Sequence, residues 1–203
     1  MNRKIVTILD YGLGNITSLV NSLKYLNYEV NFFSKKKKDI QILIIPGIGS
    51  FDNAIKILKK KKYIPLIKRL IRNNVKIIGI CLGMQILLSL GYENKKNKGL
   101  NIIKGKVLKV RFEKKLPIVG YFPVMFSNNK LDLKSFENKK FYHVHSYVAA
   151  GVQKKNMLCF TKFKKKYKYI SGIYKKNIVG LQFHPEKSGK IGINFLDHLL
   201  SKI

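Results

Sequence analysis

Residues 76–85 read Lys-Ile-Ile-Gly-Ile-Cys-Leu-Gly-Met-Gln, the stretch most informative about the architecture of the chain. The apolar run Lys76–Ile80 is typical of a buried strand, and helical spacing follows over Met84–Leu90. Between them lies Cys81 in a G-x-C-x-G pattern, whose glycines allow a sharp turn from strand to helix. The sequence therefore predicts a strand–turn–helix unit with a cysteine at its apex.

On the amino-terminal side of this unit, apolar runs alternate with helical periodicity. The pattern predicts strands over Ile5–Leu9, Glu29–Phe33 and Ile40–Ile45, helices over Ile16–Leu26, Phe51–Leu58 and Tyr63–Ile71, and an exposed loop at Lys35–Lys38. Such alternation is typical of a parallel, doubly wound sheet.

The carboxyl-terminal half has a different sequence pattern, which is typical of short strands separated by turns. Strands are predicted over Ile102–Arg111, Ile118–Phe126, Phe141–Ala150, Met157–Phe163, Tyr167–Tyr174 and Ile178–Phe183, and a last helix over Lys190–Leu200. Since no repeat and no Gly/Ser-rich linker interrupts the chain, we expect a single α/β domain over residues 1–203. Its central sheet should be mixed but mostly parallel, with helices on its flanks.

Composition narrows the class of protein. The chain has 203 residues, 46% of them hydrophobic, and only two cysteines, which argues against disorder and against a disulfide-built secreted scaffold. Its apolar runs are too short to span a bilayer, and the first residues do not resemble a signal peptide. We expect a cytoplasmic protein without a membrane partner.

The formal charge of +31 would by itself suggest a nucleic-acid partner. Only four of the 41 basic residues are Arg, the residue that nucleic-acid binders favour. We interpret the excess lysine as drift in an AT-biased genome, with no specific nucleic-acid partner. A basic nucleic-acid binder remains as an alternative.

Cys81 is the candidate nucleophile. A thiol at a helix amino terminus is favoured as thiolate, and the backbone N–H of Leu82 is placed to stabilise an oxyanion. A buried structural cysteine is the alternative at Cys81, and it is the preferred interpretation of Cys159.

His184-Pro185-Glu186 follows the last predicted strand and could supply the base and its orienting carboxylate. A surface His-Pro turn is the alternative. His143 and His145 share a strand face, but no third metal ligand is evident nearby, so we expect no metal site. His198 is interpreted as a packing or surface residue.

Pro46-Gly47-Ile48-Gly49 ends the third strand, where its backbone N–H groups can approach a ligand. The segment matches neither nucleotide fingerprint, and beside a cysteine it better suits the wall of an oxyanion hole.

Taken together, five segments resemble the class I glutamine amidotransferases. They occur in family order over nearly the whole chain: Asp10–Asn15, Pro46–Phe51, Gly79–Gln85, His145–Tyr147 and Gln182–Ser188. Within the family they are most similar to the glutaminase subunits of imidazole glycerol phosphate synthases, which serve histidine biosynthesis.

The resemblance implies a Cys-His-Glu triad that hydrolyses glutamine to glutamate and ammonia without a cofactor. Cys81 would be the nucleophile, His184 the base and Glu186 its orienter. The oxyanion hole would use backbone N–H groups of Ile48, Gly49 and Leu82. The residues implied in substrate binding are Gly49, Gln85, Ser146 and Tyr147.

The resemblance also implies a heterodimer with a barrel-shaped cyclase subunit, which receives the ammonia. Asn15, Tyr121 and Lys187 are the expected interface residues. The family usually has Pro-His-x-Gly-Trp-Asn at the partner-facing side, whereas Pro117–Phe122 reads Pro-Ile-Val-Gly-Tyr-Phe here. The alternative is a paralogous glutaminase that feeds a sugar-amidating synthase of surface polysaccharide biosynthesis.

Overall fold

A computed structural model describes residues 4–35, 39–127, 131–164 and 166–203. A parallel layer is formed by strands β1 (Ile5–Ile8), β2 (Glu29–Phe32), β3 (Ile42–Ile45), β4 (Lys76–Ile80) and β13 (Ile178–Leu181). Their spatial order is β2-β1-β3-β4-β13. The predicted parallel sheet is thus confirmed in this layer.

Helices cover both faces of the parallel layer. Along β3, Leu43 and Ile45 pack into one apolar cluster, while Ile42 and Ile44 pack into another on the opposite face. This follows from the two-residue period of a strand. The first cluster is closed by helices α2 (Phe51–Lys60) and α3 (Tyr63–Arg72), the second by α1 (Thr17–Tyr25) and α5 (Gly189–Lys202).

The second half of the sheet is mainly antiparallel. It contains β5 (Leu88–Tyr92), β6 (Lys96–Lys98), β7 (Ile103–Lys109), β8 (Ile118–Phe126), β9 (Lys140–His145), β10 (Tyr147–Ala150), β11 (Met157–Phe163) and β12 (Tyr167–Lys175). β12 pairs with β13 and continues to β10 and β7, while β11 leads from the other edge of β12 to β8 and β9. The predicted α/β class with a mixed sheet is confirmed.

The helix predicted over Met84–Leu90 is wrong in its second half. Helix α4 (Leu82–Ile86) ends after five residues, and β5 begins at Leu88. The backbone of β5 forms hydrogen bonds with β7 in a parallel pair. This pairing stabilises a strand here, although the apolar residues are spaced as in a helix.

Two smaller differences concern the following strands. The predicted strand Phe141–Ala150 is broken at Ser146, whose carbonyl accepts a hydrogen bond from Val110 N (2.9 Å). β6 has no counterpart among the predictions. Of the loop predicted at Lys35–Lys38, Lys35 is exposed, and residues 36–38 lie outside the described part of the chain.

Candidate active site

The parallel register of β4 and β13 brings the two sequence motifs together. Leu181 pairs with Ile80, so the chain leaves both strands at the same carboxyl-terminal edge. Cys81 follows one strand, and Gln182 and His184 follow the other. A backbone bridge between Tyr142 and His184 then draws the middle of β9 to the same place. Ligands of open α/β sheets bind at such an edge.

The glycines of G-x-C-x-G are required by close packing around the turn. A Cβ atom at Gly83 would overlap the Ile45 carbonyl oxygen, and one at Gly79 would lie 2.6 Å from the Gly83 oxygen. Between these close approaches Cys81 adopts φ 54° and ψ −109°, and its N–H donates to Leu181 O (2.7 Å). The elbow predicted from the sequence is therefore present, with the thiol at its apex.

His184 and Glu186 form a buried pair. His184 Nδ1 donates to Glu186 Oε1 at 2.8 Å, and the two side chains are only 4% and 6% exposed. The main chain fixes this arrangement, since His184 N donates to Tyr142 O and Ser188 Oγ donates to His184 O. The His-Pro-Glu segment is thus not a surface turn.

Burial opposes protonation of His184, yet Cys81 and then Glu186 outweigh it and raise the pKa of His184 to about 10. His184 Nε2 is buried and lacks a partner at full hydrogen-bond geometry among the described residues. The Cys81 sulfur acts on His184 first as a hydrogen-bond acceptor and then through its charge. Such an arrangement can hold a thiolate beside an imidazolium.

Gln182 is a polar neighbour of the thiol that the motif-based prediction did not include. It is fully buried, and its Nε2 donates to Cys81 Sγ at 3.6 Å. Gln85 Nε2 in turn donates to Gln182 Oε1 (3.0 Å) and to Tyr147 O (3.2 Å). The sequence feature that could have identified Gln182 is its position at a strand end, two residues before His184.

The predicted oxyanion groups lie around the thiol, but one is already engaged. Leu82 N donates to Gly47 O at 3.3 Å. Ile48 is 46% exposed, and Gly49 has a φ of 102°, which a side chain would strain. In this conformation Leu82 can donate to an oxyanion only after the bond to Gly47 breaks.

One cavity contains the thiol together with the predicted substrate residues. Its lining comprises Ile48, Gly49, Ser50, Cys81, Leu82, Gln85, Glu93, Pro117, Tyr142, Val144, His145, Ser146, Tyr147 and Lys187. Glu93 is the single acidic residue of this lining, and its Oε2 accepts from Phe51 N at 2.6 Å. Burial, aided by Asp52 and opposed by the Phe51 N–H, raises the pKa of Glu93. The sequence motifs did not identify Glu93.

Two of the three predicted interface residues, Tyr121 and Lys187, are in contact beside the cavity. Lys187 lines the cavity, and we call the exposed edge formed by these two residues the cavity mouth. Tyr121 is 55% exposed, and its hydroxyl donates to Lys187 O (3.2 Å). Asn15 is exposed at the start of α1, where its Oδ1 accepts from Thr17 N (3.0 Å), and it does not line the cavity.

The remaining histidines have protein partners. His143 and His145 both contact the hydroxyl of Tyr169, and His198 Nε2 lies 3.0 Å from Leu131 O. Among the described residues, no three His, Cys, Asp or Glu side chains cluster as metal ligands. Nor is any helix in this part of the chain long and apolar enough to cross a membrane.

Comparison with known proteins assigns the fold and site to a family. The model of the family "Glutamine amidotransferase class-I" matches residues 7–199. The chain belongs to the class-I glutamine amidotransferases. The family expected from the sequence motifs is therefore confirmed.

Within the amidotransferases, the similar curated proteins are synthase subunits. "Imidazole glycerol phosphate synthase subunit HisH 2" of Methanococcus maripaludis is 35% identical, over 98% of this chain and 100% of the relative. "Imidazole glycerol phosphate synthase subunit HisH" of Caldanaerobacter subterraneus is 36% identical over 95% of each chain. The solved structure of PurLQS from Thermotoga maritima shares the fold, with a TM-score of 0.72, 19% identity and coverage of 98% and 99%.

Proposed function

We propose that this chain is the glutaminase subunit of an imidazole glycerol phosphate synthase in histidine biosynthesis. It hydrolyses glutamine to glutamate and ammonia, and passes the ammonia to a barrel-shaped cyclase subunit in a heterodimer. The observation that carries the proposal is the buried His184–Glu186 pair beside Cys81, whose thiol lines a cavity of an amidotransferase fold. The similarity to HisH subunits over nearly the whole chain supports the pathway.

The triad accounts for both halves of the hydrolysis. The Cys81 sulfur attacks the carboxamide carbon of glutamine, and the carbonyl oxygen becomes an oxyanion. His184 gives its proton to the departing nitrogen, so ammonia leaves and a glutamyl thioester remains. His184 then accepts a proton from water, which attacks the thioester and releases glutamate. Glu186 keeps Nδ1 protonated and Nε2 directed at the reacting atoms.

The charges in the cavity suit the amino-acid end of glutamine. Glu93 faces the same cavity as Cys81 and is placed to bind the α-ammonium group. Ser146 and Tyr147 form another part of the cavity wall, where their backbone and side-chain groups can hold the α-carboxylate. Gln85 orders that wall through its bond to the Tyr147 carbonyl.

Replacing Glu93 tests this orientation. In Glu93→Gln, the KM for glutamine should rise roughly tenfold or more, because a charge-assisted contact to the ammonium is lost. Alkylation of Cys81 by iodoacetamide, which has no ammonium group, should keep its rate. Glu29→Gln, a change at an exposed acid on β2, is the matched control. An unchanged KM would contradict the assignment of Glu93.

Because the backbone N–H of Leu82 is already hydrogen-bonded, we expect the chain without its partner to hydrolyse glutamine slowly. While Leu82 N donates to Gly47 O, the oxyanion has one donor fewer. Loss of one such donor typically lowers turnover by about two to three orders of magnitude. Partner binding at the cavity mouth would increase activity by freeing this N–H.

The proposed partner contacts are Tyr121 and Lys187 at the cavity mouth, together with Asn15. Asn15 lies in the segment that connects β1 to α1. Three residues depart from the family segment, and two of them, Ile118 and Phe122, do not dominate this surface. Ile118 is only 3% exposed, and the ring of Phe122 packs against Phe163. The outward positions of the segment are therefore available for docking.

The partner assignment is tested by glutamate release from glutamine. The purified chain is assayed alone, then with the cyclase encoded in the same genome and its ribotide substrate. We expect little release alone and strong stimulation in the complex. No stimulation by a folded cyclase would overturn the pathway assignment, and stimulation by a sugar-amidating synthase would establish the alternative.

An assay with added ammonia distinguishes a variant that has lost glutaminase activity from one that no longer assembles with the cyclase. The Cys81→Ala chain should abolish glutamine-dependent synthesis by the complex, while added ammonia still supports the cyclase. Cys159→Ala is the matched control, since that thiol is buried beside Ser171 and away from the cavity. Glutamine-dependent synthesis by the Cys81→Ala complex would contradict the proposal.

A further inference from the structure

Behind the cavity wall lies a chain of four buried polar side chains from three strands. Thr161 Oγ1 lies 3.4 Å from His143 Nε2, and His143 Nδ1 lies 3.0 Å from the Tyr169 hydroxyl. The same hydroxyl lies 3.3 Å from His145 Nε2. All four side chains are at most 5% exposed. We call this set, Thr161, His143, Tyr169 and His145, the relay.

The relay anchors the strand end that forms one wall of the active site. Its two histidines flank Val144, whose carbonyl lies 3.9 Å from Cys81 Sγ. The next residues, Ser146 and Tyr147, line the cavity, and the Tyr147 carbonyl accepts the hydrogen bond from Gln85. Movement of this strand end would therefore displace groups that contact both the nucleophile and the proposed substrate.

The relay histidines are neutral at physiological pH. Burial, with His145 and His184 adding repulsion, lowers the pKa of His143 well below its ordinary value. Burial also lowers the pKa of His145 to about 4, although the Tyr147 carbonyl opposes this by favouring a protonated ring. Each neutral imidazole has one donor and one acceptor nitrogen.

Each hydroxyl has one proton to donate and can accept from two donors, so the relay allows more than one proton arrangement. Attraction of the ring proton to the Tyr147 carbonyl favours the arrangement in which the His145 proton points away from Tyr169. In that arrangement Thr161 donates to His143, His143 Nδ1 donates to Tyr169, and Tyr169 donates to His145 Nε2. His145 then carries its proton on Nδ1. Nδ1 is buried, and no protein atom meets it at full hydrogen-bond geometry among the described residues. His145 itself lines the cavity.

We propose that Tyr169 is a positioning residue for glutamine, whose hydroxyl holds His145 in the Nδ1-protonated form and so fixes the wall from Val144 to Tyr147. The proposal rests on the glutaminase function proposed above. Tyr169 does not touch the cavity and acts through His145. A purely structural role for the relay would instead affect folding without a specific effect on glutamine recognition.

The test compares two probes of Cys81 in the Tyr169→Phe chain. A diazo-ketone analogue of glutamine reports substrate recognition, and iodoacetamide reports the thiol alone. We expect the analogue concentration for half-maximal inactivation to rise about tenfold, because two buried ring nitrogens lose their partner. The iodoacetamide rate should change less than about twofold. Tyr167→Phe, on the same strand, is the matched control because its hydroxyl does not belong to the relay.

Nitrogen-15 NMR measures which ring nitrogen of His145 carries the proton. A purely structural role of Tyr169 would leave this tautomer unchanged. The wild-type His145 ring should be protonated on Nδ1, and Tyr169→Phe should yield a mixture of tautomers. If Tyr169→Phe does not fold, Thr161→Val removes the far end of the relay and should cause a smaller shift in the same direction.

Three results would overturn the proposal: an Nε2-protonated His145 in the wild type, equal losses with both probes, or the same losses in Tyr167→Phe. Failure of the glutaminase function has a different signature. In that case the wild-type chain would not be inactivated by the analogue, and glutamine would not protect Cys81.

Discussion

Cys81 is held in a backbone conformation that an unconstrained cysteine avoids. A φ of 54° with a ψ of −109° costs on the order of 1–3 kcal/mol, so the surrounding packing must impose it. The strain lifts the thiol out of the sheet and toward His184. The proposed nucleophile is therefore positioned by neighbours that take no part in the proposed reaction.

The pH dependence of stability should report the charge on His184. Its pKa is raised from 6.5 to about 10, so the stabilisation is complete below about pH 6.5 and is lost as the pH rises toward about 10. Glu186→Gln removes one group that raises this pKa, so His184 should titrate at lower pH. The free energy of unfolding should then vary less across this range.

NMR titration of the His184 ring and urea unfolding at the two ends of the range measure these quantities. His198→Gln, a change in the last helix, serves as the control. An unchanged His184 titration in Glu186→Gln would contradict the proposed pairing.

The residues of the proposed triad could be named from the sequence, but their polar surroundings could not. Cys81 and the His184–Glu186 pair stand in short local patterns whose spacing itself reflects their chemistry. Gln182 and Glu93 reach the site only because β4 pairs with β13 and because the segment after β5 returns to the start of α2. Such long-range placement leaves no local pattern.

At the scale of elements, the turn at Cys81 is determined by how closely β3, β4 and α4 pack together. Gly83 lies against the Ile45 carbonyl at the end of β3, so the helix can begin directly above the sheet. The close approach explains why the turn after β4 is so short.

Gly83→Ala should therefore destabilise the chain by about 3 kcal/mol or more, because its Cβ meets rigid backbone. Gly151→Ala is the control. Its φ of 64° costs about 1–2 kcal/mol, but only the flexible end of Lys106 lies nearby. Urea unfolding of both variants measures the difference. Equal losses would show that Gly83 is not constrained by the elbow.

The parallel strands and their helices were predictable because each contains a clear period of its own. The segment after Ile86 was not, because Leu87 and Leu88 fit a helix as well as a strand. Its state depends on pairing with β7, which starts fifteen residues later. Tertiary pairing thus decided the one element whose type was wrongly predicted.

Over the whole molecule, the charge of +31 shapes how the chain can associate. Like charges on one surface repel each other, and an acidic partner would relieve that repulsion. We expect the cognate synthase subunit to present an acidic patch to the cavity mouth.

The salt dependence of assembly tests this expectation. The Kd of the complex should rise at least about tenfold between roughly 0.05 and 0.5 M salt. Lys187→Gln at the mouth should weaken both binding and its salt dependence. Lys60→Gln, at the far end of α2, should change little. Titration calorimetry provides the Kd, and a salt-independent Kd would contradict the charge argument.

The most direct test of the account is to trap the covalent intermediate. The complex is mixed with glutamine, quenched in acid within the turnover time, digested and examined by mass spectrometry. We predict a glutamyl adduct on the peptide that contains Cys81, which is absent from Cys81→Ala. Turnover of glutamine with no adduct on Cys81, or with an adduct on another residue, would contradict the claim that Cys81 is the nucleophile.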